Sequence, residues 1–198
     1  MVLGKVKNLV NQSENYNKMI PSKFFLTKGI GFHKNRLKAF ELAMRNAGLA
    51  VYNLVLVSSI LPPNCKRISK EKGLKLLGPG EIVFLVMSKN ETNEPNRLIS
   101  ASVGCAIPAN KDTYGYLAEY RSFDETKEKV ENHAENLAVS MLASSLGIKF
   151  NPKESQGVGR RAFKISGKIV YTTNITQTAR GKQNGLWTSV VAAVVFIS

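Results

Sequence analysis

Histidine and cysteine are almost missing from this sequence, with two of each in 198 residues. His33 and His133 stand far apart, and Cys65 and Cys105 form no Cys-x-x-Cys pair and have no histidine beside them. No metal-ligand spacing and no disulfide framework can be built from this set, so buried free thiols in a reducing cytoplasm are expected. His33, in the loop before a first helix, and His133, on the polar side of a second, read as ordinary residues rather than catalytic bases. The Gly-x-Ser-x-Gly elbow is absent. Gly29-Ile30-Gly31 lacks the third glycine of a dinucleotide fingerprint, and no acid sits at a ribose distance from it. Long apolar runs are absent as well: Val190 to Ile197 is about ten residues short of a spanning helix and reads as a buried strand that closes a sheet. Met1 to Met19 carries Lys5, Lys7 and Lys18 and builds no apolar leader, so a soluble, cytoplasmic protein without a secretory signal or a membrane partner is expected.

Acid is scarce. Asp and Glu number 14 against 28 Lys and Arg, a net charge of +14. Such an excess favours a polyanion partner, and Lys149 to Lys168 concentrates it, with Lys153, Arg160, Arg161 and Lys164 against Glu154 alone among Gly157, Gly159 and Gly167. No helix-turn-helix, RRM or zinc pattern accompanies the charge, so a solvated lysine-rich surface is the preferred reading over a nucleic-acid partner.

The 43% hydrophobic content is that of an ordinary globular protein, and one core is expected. Residues 1–22 are polar, lack a period and end near Pro21, so they read as an extension, with a single domain over 23–198. Phe24-Phe25-Leu26 starts a short strand. Leu37, Phe40, Ala43, Met44 and Ala47 share one helical face over Lys34 to Asn46, and Gly48 is a natural stop. Further strands are predicted at Val55–Val57, Glu81–Met87, Leu98–Ile107, Tyr114–Arg121, Ala162–Thr173 and Leu186–Ile197, with a loop over 64–80, a turn over Asn90–Arg97 and a polar connection over Asn174–Gly185. A second helix is predicted from an Asp124 N-cap to Gly147, with Val130, Ala134, Leu137, Met141 and Leu142 inward. Two helices are too few for a doubly wound parallel sheet. The expected fold class is α/β (α+β), a sheet-rich sandwich of mainly antiparallel strands with helices packed outside in αββα layers.

The distinctive stretch is Asn53-Leu-Val-Leu-Val-Ser-Ser-Ile-Leu-Pro-Pro63, an apolar strand driven into a turn that Pro62 and Pro63 stiffen. A serine hydroxyl held there can attack the carbonyl that precedes it. This stretch is similar to the self-processing site of pyruvoyl-dependent arginine decarboxylases. Matching motifs follow in order: Ala39-Phe40-Glu41 through Asn46-Ala47-Gly48 upstream, Ile99-Ser100-Ala101 through Ala106-Ile107-Pro108, and Ala118-Glu119-Tyr120. The resemblance runs from about Leu26 to Phe196 and is loosest between Lys149 and Gly185.

The resemblance implies a chemistry. Ser59 would attack the Ser58 carbonyl, and the chain would part into a β chain of residues 1–58 and an α chain of 59–198 that begins with a pyruvoyl group, the only cofactor. Asn53 matches the asparagine that the family requires for this step, as a donor to the oxyanion. The ketone would form a Schiff base with L-arginine and take up the electrons left when carbon dioxide departs, giving agmatine, a polyamine precursor. Glu119 matches the acid that reprotonates the α-carbon, a role that needs burial to raise its pKa. Glu41 stands where the family usually has an aspartate for the guanidinium. With Met44 and Ile60 it makes up the substrate-binding set, and its extra methylene leaves another basic amino acid open as substrate. The resemblance also implies a trimer with the active site between neighbours, and no metal. The competing reading is a non-enzymatic basic module in which Ser58-Ser59 is only a turn and the protein binds nucleic acid.

Overall fold

The structure is a computed structural model of the chain and describes residues 19–150, 157–159 and 162–198. The expected extension over 1–22 therefore lies largely outside the described residues, and of the expected basic loop over 149–168 residues 151–156, 160 and 161 lie outside them. Strand β1 (Lys23–His33) leads into helix α1 (Arg36–Ala47), then β2 (Asn53–Leu56), β3 (Ile60–Leu61), β4 (Lys66–Arg67) and a one-turn helix α2 (Lys70–Leu74). Three long strands follow, β5 (Ile82–Thr92), β6 (Leu98–Pro108) and β7 (Gly115–Phe123), then helix α3 (Lys127–Ser145). Strands β8 (Gly157–Gly159), β9 (Ala162–Ile165), β10 (Lys168–Arg180) and β11 (Trp187–Ile197) complete the order.

The strands form two sheets. Sheet A has the order β2-β5-β11-β1-β4 and sheet B the order β3-β7-β6-β10-β9-β8. Pairing is antiparallel except between β1 and β4 and between β2 and β5. The core has layers to match. Phe25, Val83, Leu85, Val191 and Val195 face α1, whereas Phe24, Val86, Val103, Leu117, Val194 and Phe196 fill the space between the sheets. Ala118, Ala138, Val139 and Leu142 join sheet B to α3. This is the expected αββα sandwich. Alternate residues of each strand serve two apolar layers, which is why β11 is buried at nearly every position.

Several local expectations change. The first strand is much longer than Phe24–Leu26 and includes Gly29 and Gly31, because α1 lies directly on it: a Cβ at Gly29 would stand 2.0 Å from the Ala43 carbonyl oxygen, and one at Gly31 2.1 Å from that of Ala39. His33 accordingly ends a strand instead of sitting in a loop. Helix α1 starts at Arg36, because the Asn35 side chain caps it by accepting from Lys38 N–H at 3.0 Å, and it ends at Gly48 with φ 81°. The 64–80 loop contains β4 and α2. Strand β5 runs on to Thr92, since Asn90 pairs with Val190 in the ladder. The predicted Ala162–Thr173 strand breaks at Ser166-Gly167, both at positive φ, into a β9–β10 hairpin, and β10 continues to Arg180 through what composition suggested was a connection.

Asp124 does not cap α3. It adopts φ 58° and accepts from Leu98 N–H at 3.4 Å, and Thr126 caps the helix. The buried face of α3 holds Val130, Ala134, Ala138, Val139 and Leu142, with Leu137 and Met141 only half-buried. Glu135 is buried there too, accepting from Thr172 Oγ1 at 2.5 Å and Asn174 Nδ2 at 2.6 Å. His133 is exposed, as expected, and its ring stacks on Tyr120 at 4.1 Å between centroids. Both cysteines are free, and burial pushes the Cys65 thiol up to about 11 and Cys105 up to about 12.

Close approach of helix and sheet supplies a stability test. At Gly104 on β6 a Cβ would lie 2.1 Å from the Ala134 carbonyl oxygen and 2.8 Å from the Glu135 nitrogen, all rigid helix backbone. Gly104→Ala is expected to cost about 2–3 kcal/mol and lower the melting midpoint by roughly 5–10 °C in a calorimetric scan. A midpoint within a degree of the parent's would mean that α3 rides freely on the sheet.

Candidate active site at the crossover between the sheets

Residues Asn53 to Val57 run along the free side of β5: Asn53 N–H donates to the Glu81 carbonyl at 2.9 Å and Val57 N–H to that of Leu85 at 3.0 Å. Three residues later the chain is in the other sheet. Ile60 pairs with Tyr116 on β7, and Leu117 N–H donates to the Ser59 carbonyl at 2.7 Å. The Ser58–Ser59 peptide is therefore the span by which the backbone leaves one sheet edge and joins the other. Ile60 N–H donates to the Ser58 carbonyl at 3.0 Å, an i to i+2 bond that bends the chain around Ser59. It also places a donor on the oxygen that would gain charge if the Ser58 carbonyl were attacked.

Two depressions lie near this span. An apolar groove of about 350 Å³ includes Val57, Ser58, Ile60, Pro62 and Phe84. A cleft of about 550 Å³ lies among Phe40 of α1, Leu56 of β2, Met87, Ser88 and Lys89 of β5, and Glu119, Tyr120 and Arg121 of β7. Glu119 follows Leu117 on the inter-sheet side of β7, about 7 Å further along the strand. Much of the residue is open to solvent through the mouth of the cleft, yet burial of its carboxyl raises the pKa above the ordinary carboxylate value. Lys89, the nearest β5 cation, is ion-paired with Glu91 at 3.3 Å and lies over the Phe40 ring at 4.3 Å.

Ser58, Ser59, Ile60 and Glu119 are thus gathered at one end of the sandwich. Asn53, Glu41 and Met44 are not brought to them within one protomer. Asn53 starts β2, about 13 Å of strand before Val57, and its side-chain amide donates to the Gly80 carbonyl at 2.7 Å. Glu41 lies on the surface of α1, where Arg45 and Lys38 both bind it, the latter at 3.1 Å; the Arg45 and Lys38 hydrogen bonds lower its pKa. Met44 is buried in the core between α1 and sheet A. The sequence reading also passed over the rest of the cleft. Ser88 carried a usable signal, since it falls at the inter-sheet parity of Phe84 and Val86, where an apolar residue is the rule. Phe40, Leu56 and Lys89 carried none, because only tertiary packing places them beside Glu119.

The free edge here is apolar: Leu56 is 62% and Ile82 61% exposed, with Val51, Val55 and Ile60 also uncovered. Among the described residues no three His, Cys, Asp or Glu are grouped to hold a metal ion, and no helix is long and apolar enough to cross a membrane.

Comparison with known proteins covers nearly the whole described chain. The family model described as pyruvoyl-dependent arginine decarboxylase matches residues 23–198. A Methanosarcina acetivorans protein named pyruvoyl-dependent arginine decarboxylase 2 is 52% identical over 180 residues, covering 91% of this chain and 98% of its own. Proteins named pyruvoyl-dependent arginine decarboxylase from Methanococcoides burtonii and Nitrosopumilus maritimus are 49% and 51% identical over 179 residues, each covering 90% of this chain. With the family model spanning both sheets, the Ser58–Ser59 crossover and the Glu119 cleft, the chain belongs to the pyruvoyl-dependent arginine decarboxylase family.

Proposed function

We propose that this protein cleaves itself between Ser58 and Ser59 and, with the pyruvoyl group so formed, decarboxylates L-arginine to agmatine and carbon dioxide. The observation that carries the reading is the crossover itself: a serine peptide anchored on both sides, with a donor on the Ser58 carbonyl oxygen and a partly buried carboxyl in a nearby cleft. In the processing step the Ser59 hydroxyl oxygen bonds to the Ser58 carbonyl carbon, and the amide nitrogen leaves it, converting the peptide to an ester. Ile60 N–H faces the oxygen that turns negative. Loss of the Ser59 α-proton then expels the Ser58 carboxylate, and the dehydroalanine left at 59 takes up one water and releases one ammonia to become the ketone. The two pieces are residues 1–58 and 59–198.

The residues present fit such a group. Position 59 is half-buried, its neighbours Ser58 and Ile60 lining the groove and its carbonyl bonded to Leu117, two residues before Glu119 of the cleft. When present, the ketone condenses with the substrate amine and accepts the electron pair released with carbon dioxide. The protein supplies the rest. The cleft is large enough for an amino acid of arginine's size. Glu119, whose pKa burial raises, returns a proton to the α-carbon.

Asn53 and Glu41 enter this reading from a neighbouring copy, in the trimer. The uncovered apolar edge around Leu56 and Ile82 suits such contact, and Glu41, half-buried on α1, would exchange Lys38 or Arg45 for the guanidinium of arginine. Met44 supports the core that carries Glu41. Action in the cytoplasm fits a chain with free thiols.

The test is intact mass followed by assay. Freshly purified protein is expected to show two masses, the larger with a blocked N-terminus, and to release agmatine and carbon dioxide in equal amounts from L-arginine. A fully cleaved protein that leaves arginine untouched would remove the substrate assignment, and a single uncut chain that decarboxylates it would remove the mechanism.

A further inference from the structure

Most contact between the two sheets is apolar, and dispersion contacts hold surfaces together without fixing how one strand stands over another. At the level of Glu119 the contact changes character. Ser88 continues the inter-sheet side of β5 after Phe84 and Val86 and is 4% exposed. Its Oγ donates to the Tyr120 carbonyl at 2.7 Å, in the Tyr120–Arg121 peptide, one residue beyond Glu119. Further along, Asn90 Nδ2 donates to the Ser122 carbonyl at 2.8 Å. On its open side β7 has little hold. Strand β3 pairs with it only at Gly115 and Tyr116, and beyond the Leu117 bond to Ser59 no strand flanks that edge among the described residues. Glu119 therefore sits where β7 has lost its outer neighbour and is fastened from sheet A instead.

We propose that Ser88 is a positioning residue for Glu119, its hydroxyl tying the cleft-forming stretch of β7 to β5 so that the carboxyl is held at one height and one orientation in the cleft. The proposal rests on the reading of Glu119 as the proton donor. A buried hydroxyl at an apolar position is costly unless it is bonded, and here its hydrogen bond fixes the backbone of the residue next to the acid. Asn90 fastens the strand farther from the site, whereas Ser88 forms part of the cleft wall. Proton transfer is sensitive to such placement, because misplacement by an ångström weakens it steeply.

The proposal has a signature that loss of packing lacks. Around Glu119 the charged or titratable groups are Lys89 of β5, paired with Glu91, and Arg121 and Tyr120 of β7; Phe40 of α1 and Leu56 of β2 bring no charge. The Tyr120 hydroxyl is turned to Glu125, at 2.8 Å. Burial raises the Glu119 pKa, so a β7 released from Ser88 admits water to the carboxyl and lets that pKa fall. Since the acid works protonated, the alkaline limb of the kcat profile moves to lower pH.

Ser88→Ala, Ser88→Thr and Glu119→Gln are compared in the self-cleaved, full-length protein with L-arginine, after mass analysis of each. Ser88→Ala is expected to lower kcat about tenfold with KM within about twofold, and to shift the alkaline limb downward, while Ser88→Thr, which keeps Oγ, restores both. If Ser88→Ala fails to fold or cleave, Ser88→Cys, a weaker donor of similar size, is judged by the same criteria. Wild-type kcat and an unmoved limb, or a loss confined to KM, overturn the proposal when Glu119→Gln is inactive. Full activity in Glu119→Gln would instead remove the reading beneath it.

Discussion

Ser59→Ala is expected to yield one chain of 21.8 kDa, uncut and without decarboxylase activity above background. No other single change should have so complete an effect, because it removes the cofactor's precursor along with the nucleophile. The fold should survive it. The described hydrogen bonds at this corner are made by backbone, Leu117 N–H to the Ser59 carbonyl and Ile60 N–H to that of Ser58, and alanine leaves both in place. Circular dichroism and the melting midpoint should therefore match those of a catalytically silent but folded protein. Ser58→Ala is the internal control. Ser58 contributes only its carbonyl, so this variant should still part into two pieces. Cleavage in Ser59→Ala with none in Ser58→Ala would move the assignment by one residue.

Glu119→Gln is expected to leave cleavage intact and to lower kcat by about 10²–10⁴, the range lost with a positioned general acid. Glutamine keeps the shape of the side chain and its place on β7, so KM should change little. The pH dependence is the sharper readout. Burial raises the carboxyl pKa, so the neutral, proton-donating form persists to higher pH than an exposed glutamate would allow, and kcat falls as pH rises through the raised value. In Glu119→Gln that limb should vanish, leaving a flat, low profile. A variant that keeps the parental limb would place the titrating group elsewhere.

What was legible in the sequence was what neighbouring residues decide. The Ser-Ser-Ile-Leu-Pro-Pro corner, the face of α1 and its Gly48 stop, and the sandwich class all follow from local chemistry and spacing. What escaped depended on contacts across the fold. The second half of β10 looked like a connection because Asn174 and Thr176 are polar, but Asn174 bonds the buried Glu135 of α3 and Thr176 bonds Asn174 in turn, partners no periodicity reveals. Asp124 resembles a cap and became instead a left-handed turn residue, with Thr126 taking the role. The site divides in the same way. Ser58, Ser59, Ile60 and Glu119, named from the sequence, lie on two adjacent segments, whereas the wall around Glu119 comes from α1, β2 and β5. Asn53 and Glu41 were named, yet one protomer leaves them apart from the serines.

The crossover also has a bearing on the order of events in the life of the chain. Val57 is bonded to sheet A and Ser59 to sheet B, so the bent geometry around that peptide exists only when both sheets have formed. Self-cleavage by this geometry would then be a report of completed folding, withheld from any intermediate that lacks one sheet. It would also be a point of no return. Strand β1 lies against β11 from Lys23–Ile197 to His33–Trp187, while β2 lies beyond β5, so the smaller piece straddles a strand pair of the larger. One continuous chain reaches that interleaving by closing loops; two separated pieces would have to meet by diffusion, at an added cost in translational freedom and with a yield set by dilution. Maturation by this route gives a native state that each molecule can enter easily only once.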